Sequence, residues 1–177
     1  MDAQLADYLG SLAPALTLED HWGAMRFALT AYLTDSLPPL DYVTSARAIV
    51  LREGSVLVVR DPGNTHILPG GRREPGESLT ETLRREVLEE SGWSLAEIRR
   101  VGIMHFHHLT EKPDAYPYPY PDFTQVVYTA RADEYFAHLR EANGYELDAQ
   151  FMPLPGVAAL PLPAIQRVFL DAVLAPR

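Results

Sequence analysis

Apolar positions change period along this chain, and each change predicts an element. Leu5, Tyr8, Leu9 and Leu12 recur at i, i+3, i+4 and i+7, a helical stripe that Pro14 stops. Thr17 can cap a second helix with Leu18, Trp22, Met25, Leu29 and Leu33 on its buried face, ending before Pro38 and Pro39. Residues 1–40 are therefore expected to form an N-terminal helical extension. The pattern then turns to β. Residues 43–52 and 55–60 are β-branched runs joined across Glu53 and Gly54, a hairpin signature. A short strand is expected at 66–68, and longer ones at 98–109 and 124–131. Between the last two lies TEKPDAYPYPYPDF, where proline stiffens the backbone and removes amide donors, so it reads as a loop. A closing helix at 162–174 puts Ile165, Val168, Phe169, Ala172 and Val173 on one face. No repeat or linker divides the remainder, so 41–177 is expected to be one domain.

The helix expected between Ser78 and Gly92 carries the chemistry. Ser78 and Glu81 have the spacing of a capping box, and Gly92 supplies a left-handed terminus. Leu79, Leu83 and Val87 form its packing stripe. Glu86, Glu89 and Glu90 fall at i, i+3 and i+4 on another azimuth, which stacks three carboxylates on one face. At an effective dielectric of ~20 and ~6 Å separation each pair costs roughly 3 kcal/mol, against a few tenths on a fully wet helix. The cluster is either a solvated stripe or a cation site. Arg85, four residues before Glu89, can pair with it, and Gly70 and Gly71 bring backbone close to a phosphate or metal.

Composition narrows the partners. A net charge of −9 argues against bulk nucleic acid and anionic membrane, although a metal can invert the local field for a small anion. With no cysteine, disulfides, thiolate sites and a Cys nucleophile are excluded. The first residues lack a basic, then apolar, leader and no stretch is long enough to span a bilayer, so a cytoplasmic protein is expected.

The segment GRREPGESLTETLRREVLEESGW resembles the box of the Nudix hydrolase family. Gly71, Glu77, Arg85, Glu86, Val87, Glu89, Glu90, Gly92 and Trp93 fill all nine positions of that pattern over 23 residues. The order of strands and helices from about 43 to 174 is also similar. The resemblance implies an α/β (α+β) Nudix fold, a mixed β-sheet sandwiched between helices. It further implies that Glu86, Glu89 and Glu90 ligate Mg²⁺ or Mn²⁺ with the Gly70 carbonyl, a hard-cation, all-oxygen set. Glu77 and Arg85 would brace the loop beside Gly71. The implied reaction is water attack on a phosphorus of a nucleoside diphosphate derivative, with Glu90 or a downstream carboxylate as base.

Other residues carry two readings. His105 and His107 share a strand face with Val101 and Ile103, and His108 points away; they line a pocket or are satisfied sheet histidines. As transition-metal ligands they lack an evident third partner. Tyr116, Tyr118, Tyr120 and Phe123 alternate with prolines, as an aromatic lip over the site, as a surface loop, or as a homodimer contact. Arg47 reaches a phosphate or is an ordinary surface arginine. Glu134, Glu141, Glu146 and Asp148 are each candidates for an extra ligand or base. Marks of the ADP-ribose, NADH, coenzyme A and dinucleoside-polyphosphate subfamilies are not found, and the aromatic loop favours a small nucleotide. The competing class is a Nudix-fold nucleotide sensor without turnover; such proteins tend to lose box glutamates, which are all present here.

Overall fold

The computed structural model describes residues 2–141 and 146–176. Its first element is helix α1 (Ala3–Gly10), capped by Asp2 through Gln4 N, with Leu5 and Leu9 buried one turn apart. The second expected helix does not form. Residues 14–33 make a hairpin of β1 (Pro14–Trp22) and β2 (Met25–Leu33), turning at Gly23 with φ +59°. Leu18, Trp22, Met25, Leu29 and Leu33 do fit a helical period, but Phe27, Leu29 and Ala31 also alternate at period two, and these three are the buried apolar ones. Long-range pairing decided between the patterns: β2 lies antiparallel along a later strand, residues 93–108, with Phe27 opposite His108 and Leu33 opposite Gly102.

The remaining strands are β3 (Val43–Arg52), β4 (Ser55–Asp61), β5 (Asn64–His66), β6 (Gly70–Arg72), β7 (Trp93–His108), β8 (Asp122–Tyr135) and β9 (Asp148–Pro153). Among the described residues they make one mixed sheet, ordered β1-β2-β7-β8-β3-β4-β5, with β6 on β3 and β9 on β4. The β3–β8 pair is parallel and the others antiparallel. The expected strand at 66–68 ends at His66, β7 and β8 are longer than expected, and β9 had no clear periodic signal. Among the described residues three α-helices follow the early strands: α2 (Leu79–Ser91), α3 (Leu154–Ala159) and α4 (Ala164–Leu174).

The sheet is sandwiched between helices, as the resemblance implied. On one face α1 and α2 bury Leu5, Leu83 and Val87 against Ala46, Ala48, Val50 and Val126. Alanines on β3 let α2 lie close to the sheet. On the other face α4 buries Ile165 and Phe169 against Leu29, Ile49, Met104 and Phe106. Gln166 and Leu170 complete that buried face, while Val168 and Val173 are only partly covered. The capping box forms: Ser78 N donates to Glu81 Oε2 at 2.8 Å, and Ser78 Oγ accepts from Glu81 N at 3.3 Å. Gly92 closes α2 with φ +78°. Among the described residues no helix is long and apolar enough to cross a membrane.

The hairpin is core rather than appendage, since Phe27 is fully buried and touches Phe106 edge-on at 5.8 Å between centroids. Phe27→Ala should therefore lower unfolding free energy by about 3–5 kcal/mol in denaturant titration. A loss under about 1 kcal/mol would mean that β1 and β2 do not share the core.

Candidate active site

The site is assembled where α2 runs under the short strand β6. Gly70 pairs with Arg47, Gly71 with Ala46 and Arg72 with Ser45. Gly70 has φ +126°, and a Cβ there would run into the Ala46 carbonyl and the Arg47 backbone. A Cβ on Gly71 would occupy the space taken by the Glu86 carboxylate. Gly70 is thus required both by space and by its backbone conformation, whereas a side chain at Gly71 would displace the Glu86 carboxylate from its place beside β6.

Arg85 ties the cluster together. Its Nε donates to Glu77 Oε1 at 2.7 Å and its NH2 to Glu77 Oε2 at 3.0 Å, a bidentate pair. Its NH1 donates to Glu86 Oε1 at 2.9 Å and to Glu89 Oε2 at 3.2 Å, and its NH2 also reaches the Arg72 carbonyl at 3.1 Å. Thr82 Oγ1 and Glu74 N donate to the other side of Glu77. These bonds, the Arg85 one foremost, pull the Glu77 carboxyl down to about 2. The expected brace is present, and Arg85 holds two more carboxylates besides.

Glu90 sits deeper. Only 9% exposed, it accepts from Gly70 N at 3.0 Å. Burial pushes its carboxyl up to about 8, against the Gly70 bond and the Arg47 charge, with repulsion from Glu146 and Glu86 adding to the rise. Glu89 is also raised, chiefly by burial, with Glu86 and Glu141 repelling it. Glu141 N donates to the Glu89 carbonyl at 2.9 Å, so Glu141 and Glu146 flank the cluster. Glu134 is exposed and bonded through its amide to Ser94, and Asp148 opposes Arg60 in the β4–β9 ladder. Neither of the last two joins the cluster.

Could these residues hold a divalent ion? Among the described residues no three carboxylate or imidazole side chains already converge on a metal position. Arg85 and Gly70 N hold the carboxylates instead. The donor set nevertheless fits a hard cation: three carboxylates on one helix face, one buried, beside a glycine pair whose missing side chains clear the approach. A cation would also relieve the burial cost of Glu90.

A cleft opens next to the cluster on the α4 face. One part, 270 Å³, is lined by Trp22, Ser45, Arg47, Arg72, Tyr118 and Phe123; an adjoining 350 Å³ shares Trp22, Arg47 and Gln125 with it. Arg47 donates to Gln125 Oε1 at 3.2 Å and to the Leu68 carbonyl at 3.1 Å, so it joins β3, β8 and the β6 approach. Arg72 lies 4.9 Å over the Tyr118 ring, and Tyr118 stacks near Phe123 at 6.2 Å. Trp22 packs at 5.1 Å from Phe106 and stays 41% exposed. Ser45 Oγ and Asp61 Oδ1, both on this cleft, are buried with no hydrogen-bond partner among the described residues. Buried polar atoms are rarely left so. His66, 3.3 Å from Asp61 Oδ2, is held neutral by burial and by Arg47, its pKa down to about 4.

Tyr118 and Arg47 are brought to the cleft, and His105, His107 and His108 are not. Bulges in β7 after Ala96 and Arg100 break the alternation, so Val101 packs with the α4 core while Ile103 packs with the α2 core. That overturns the expectation that Val101 and Ile103 share a face. His105 Nε2 and His107 Nδ1 lie 2.9 Å and 2.8 Å from Asp122 Oδ1. They are histidines satisfied by a neighbouring carboxylate, with no metal-binding arrangement among the described residues. Tyr116 hydroxyl meets His108 Nε2 at 2.9 Å, and the Tyr120 hydroxyl donates to the Thr110 carbonyl at 3.0 Å, so both brace the loop. Asp122 and Phe123 belong to β8 rather than to that loop. Trp22, Arg72, Ser45 and Asp61 were missed by sequence reasoning. Arg72 directly follows the glycine pair and could have been found there; Trp22 was hidden by the helical reading of residues 17–33.

A sequence model of the NUDIX domain matches residues 41–173. The chain belongs to the Nudix hydrolase family. Members of the family typically use a divalent metal and act on phosphoanhydride bonds. Over 64 residues, 35% of this chain and 43% of the other, it is 42% identical to a Bacillus subtilis protein with the provisional name 8-oxo-dGTP diphosphatase. It is 29% identical over 119 residues, 62% of this chain and 42% of the other, to the NAD-capped RNA hydrolase NudC of Salmonella agona. The matches thus span less than half the length of these curated relatives. The Bacillus subtilis pyrophosphohydrolase BsRppH, in mutant form, shares the fold with a TM-score of 0.63 at 16% identity, covering 89% of this chain and 95% of that one.

The raised pKa of Glu90 has a consequence for stability. Its carboxyl binds a proton more tightly folded than unfolded, so the stabilising proton is present below about pH 4.5 and lost as pH rises through about 8. In chelator, Glu90→Gln should match the parent near pH 5 and be more stable at pH 7, by up to about 3 kcal/mol. Equal melting temperatures at both pH values would show that Glu90 is not buried as an acid.

Proposed function

We propose that this Nudix protein is a Mg²⁺- or Mn²⁺-dependent pyrophosphohydrolase that cleaves the diphosphate linkage of a nucleoside di- or triphosphate derivative. The observation that carries the proposal is continuity. The carboxylate cluster and the aromatic cleft meet at one register position, Gly70 opposite Arg47. A diphosphate bound at that junction has glutamates on one side and a platform for a base on the other.

In this reading Glu86, Glu89, Glu90 and the Gly70 carbonyl hold the ion. When bound, it neutralises phosphate oxygens and acidifies a water. The chain's own residues do the rest. Arg47 and Arg72 orient the phosphates, with Arg72 kept in place over Tyr118. Trp22 and Tyr118 exclude water and offer ring faces to a nucleobase, with the buried Phe123, stacked on Phe106, behind them. Ser45 and Asp61 supply the unpaired polar atoms that a nucleoside could satisfy. A carboxylate takes the proton from the attacking water, and Glu90, Glu141 and Glu146 are the candidates near enough to the cluster. Residues 41–177 would carry the catalysis, with 1–40 adding Trp22 to the cleft.

The test is a panel of nucleoside diphosphate derivatives with Mg²⁺ and with Mn²⁺, products identified. The relatives' names put an oxidised deoxyguanosine triphosphate and an NAD-type dinucleotide on it. Glu89→Gln and Glu90→Gln should each lower turnover at least ~10²-fold with the fold intact, and Trp22→Ala or Tyr118→Ala should raise KM several-fold with kcat nearly kept. Near-normal turnover in both glutamate variants would sink the metal assignment. Tight binding without turnover by the parent would favour the nucleotide-sensor alternative.

A further inference from the structure

The loop between β7 and β8, residues 109–121, leaves the sheet at His108 and rejoins it at Asp122. It carries Tyr118 to the wall of the cleft, where Arg72 lies over that ring. Among the described residues two side-chain hydrogen bonds hold this loop. Tyr120 reaches the Thr110 carbonyl within the loop itself. The other, between the Tyr116 hydroxyl and His108 Nε2 at 2.9 Å, ties the loop to a strand. Pro117 fixes one dihedral between Tyr116 and Tyr118, and their rings meet edge-on at 5.3 Å, so the two move together.

The anchoring imidazole is built to be uncharged. Only 4% exposed, His108 lies among Phe27, Tyr116, Tyr120 and Phe123, at 4.6–6.0 Å between ring centroids. Its Nδ1 is buried with no hydrogen-bond partner among the described residues. A neutral imidazole has one N–H and one bare nitrogen, whereas an imidazolium has two N–H groups. In either tautomer the Tyr116 hydroxyl satisfies Nε2, because it can donate or accept. Charging the ring would bury a cationic N–H at Nδ1 with no acceptor, which is costly. The groups around it do not offset that. Tyr116 and Tyr120 face it from the loop and His107 stands beside it on β7. Asp122 on β8 is bonded to His105 and His107, and Arg26 on β2 is paired with Glu19 on β1. Burial foremost, then repulsion from His107, holds the ring below the ordinary histidine value, against the pull of Asp122.

We propose that His108 is a positioning residue of the cleft: its uncharged ring anchors Tyr116, and through Tyr116 it sets the Tyr118 ring against Arg72. In acid the ring takes a proton from solvent, the anchor breaks and the tyrosine pair swings away, which loosens the platform offered to a nucleobase. His108 itself does not line the cleft, so it acts only through the loop. Among the described residues no hydrogen bond links this loop to α2, so the effect falls on substrate binding rather than on the carboxylates. The substrate-binding role rests on the hydrolase reading, but the anchor itself does not.

Ring resonances of His108 and Tyr118, followed by NMR through a pH titration in chelator and without nucleotide, test the anchor. Both should shift with one midpoint, lying below that of a histidine in an unstructured peptide. In His108→Gln, whose amide can still bond the Tyr116 hydroxyl, the Tyr118 transition should vanish. In Tyr116→Phe, which removes only the hydroxyl, Tyr118 should show its acid position already at neutral pH, with the melting temperature nearly kept. For the nucleotide that the panel shows to be hydrolysed, Tyr116→Phe should raise KM about 5-fold at neutral pH with kcat nearly kept. His108→Gln should flatten the rise of the parental KM in acid. A Tyr118 ring that ignores the His108 midpoint, or that titrates equally in His108→Gln, would overturn the proposal. So would a parental Tyr118 resonance and KM in Tyr116→Phe. If nothing in the panel is hydrolysed, the hydrolase reading fails, and the substrate-free titrations still decide the anchor.

Discussion

One guanidinium makes the rest of the site tolerable. Three carboxylates on a single helix face, one of them buried, would push apart and draw water into the packing of α2. Arg85 offsets this by bonding to Glu77, Glu86 and Glu89 together. Its reach has a structural price beyond charge: Glu77 must stand across from the helix, so the loop from Arg72 to Ser78 folds back over it. Thr82 and Glu74 N hold Glu77 from the far side. Salt bridges at partly buried positions need such extra bonds to repay desolvation, and this one has them.

The glycine pair follows from the same geometry. With the loop folded back, Gly70 passes against the β3 backbone, which leaves no room for a side chain, and Gly71 passes against the Glu86 carboxylate, which a side chain would push aside. Gly70 N is then free to donate to Glu90, and its partner across the ladder is Arg47. Through Arg47 the acidic cluster is coupled to Asp61 and His66 at the far end of the cleft. Charge and position are therefore set by backbone pairing between β3 and β6 rather than by loop conformation alone.

What could be read from the sequence was mostly local. The capping box, Gly92 and the Glu77–Arg85 brace depend on spacings of a few residues within one helix and its lead-in, and they form as expected. Failures came where distant strands decide. Leu18, Trp22, Met25, Leu29 and Leu33 satisfy a helical period, but pairing of β2 with β7 makes a hairpin of that segment and carries Trp22 to the cleft. The bulges of β7 moved Val101 to the other face, which period-two counting cannot foresee. Asp122, tucked behind a run of prolines and tyrosines, gave no signal that it would satisfy His105 and His107.

The central claim is that Glu86, Glu89, Glu90 and the Gly70 carbonyl form one divalent-cation site. Anomalous diffraction from crystals grown with Mn²⁺ tests it most directly. The account predicts an ion between α2 and β6, at about 2.1–2.3 Å from carboxylate oxygens of that trio and from the Gly70 oxygen. An ordered Mn²⁺ elsewhere, or none here at saturating concentration with Arg85 still holding Glu86 and Glu89, would contradict it.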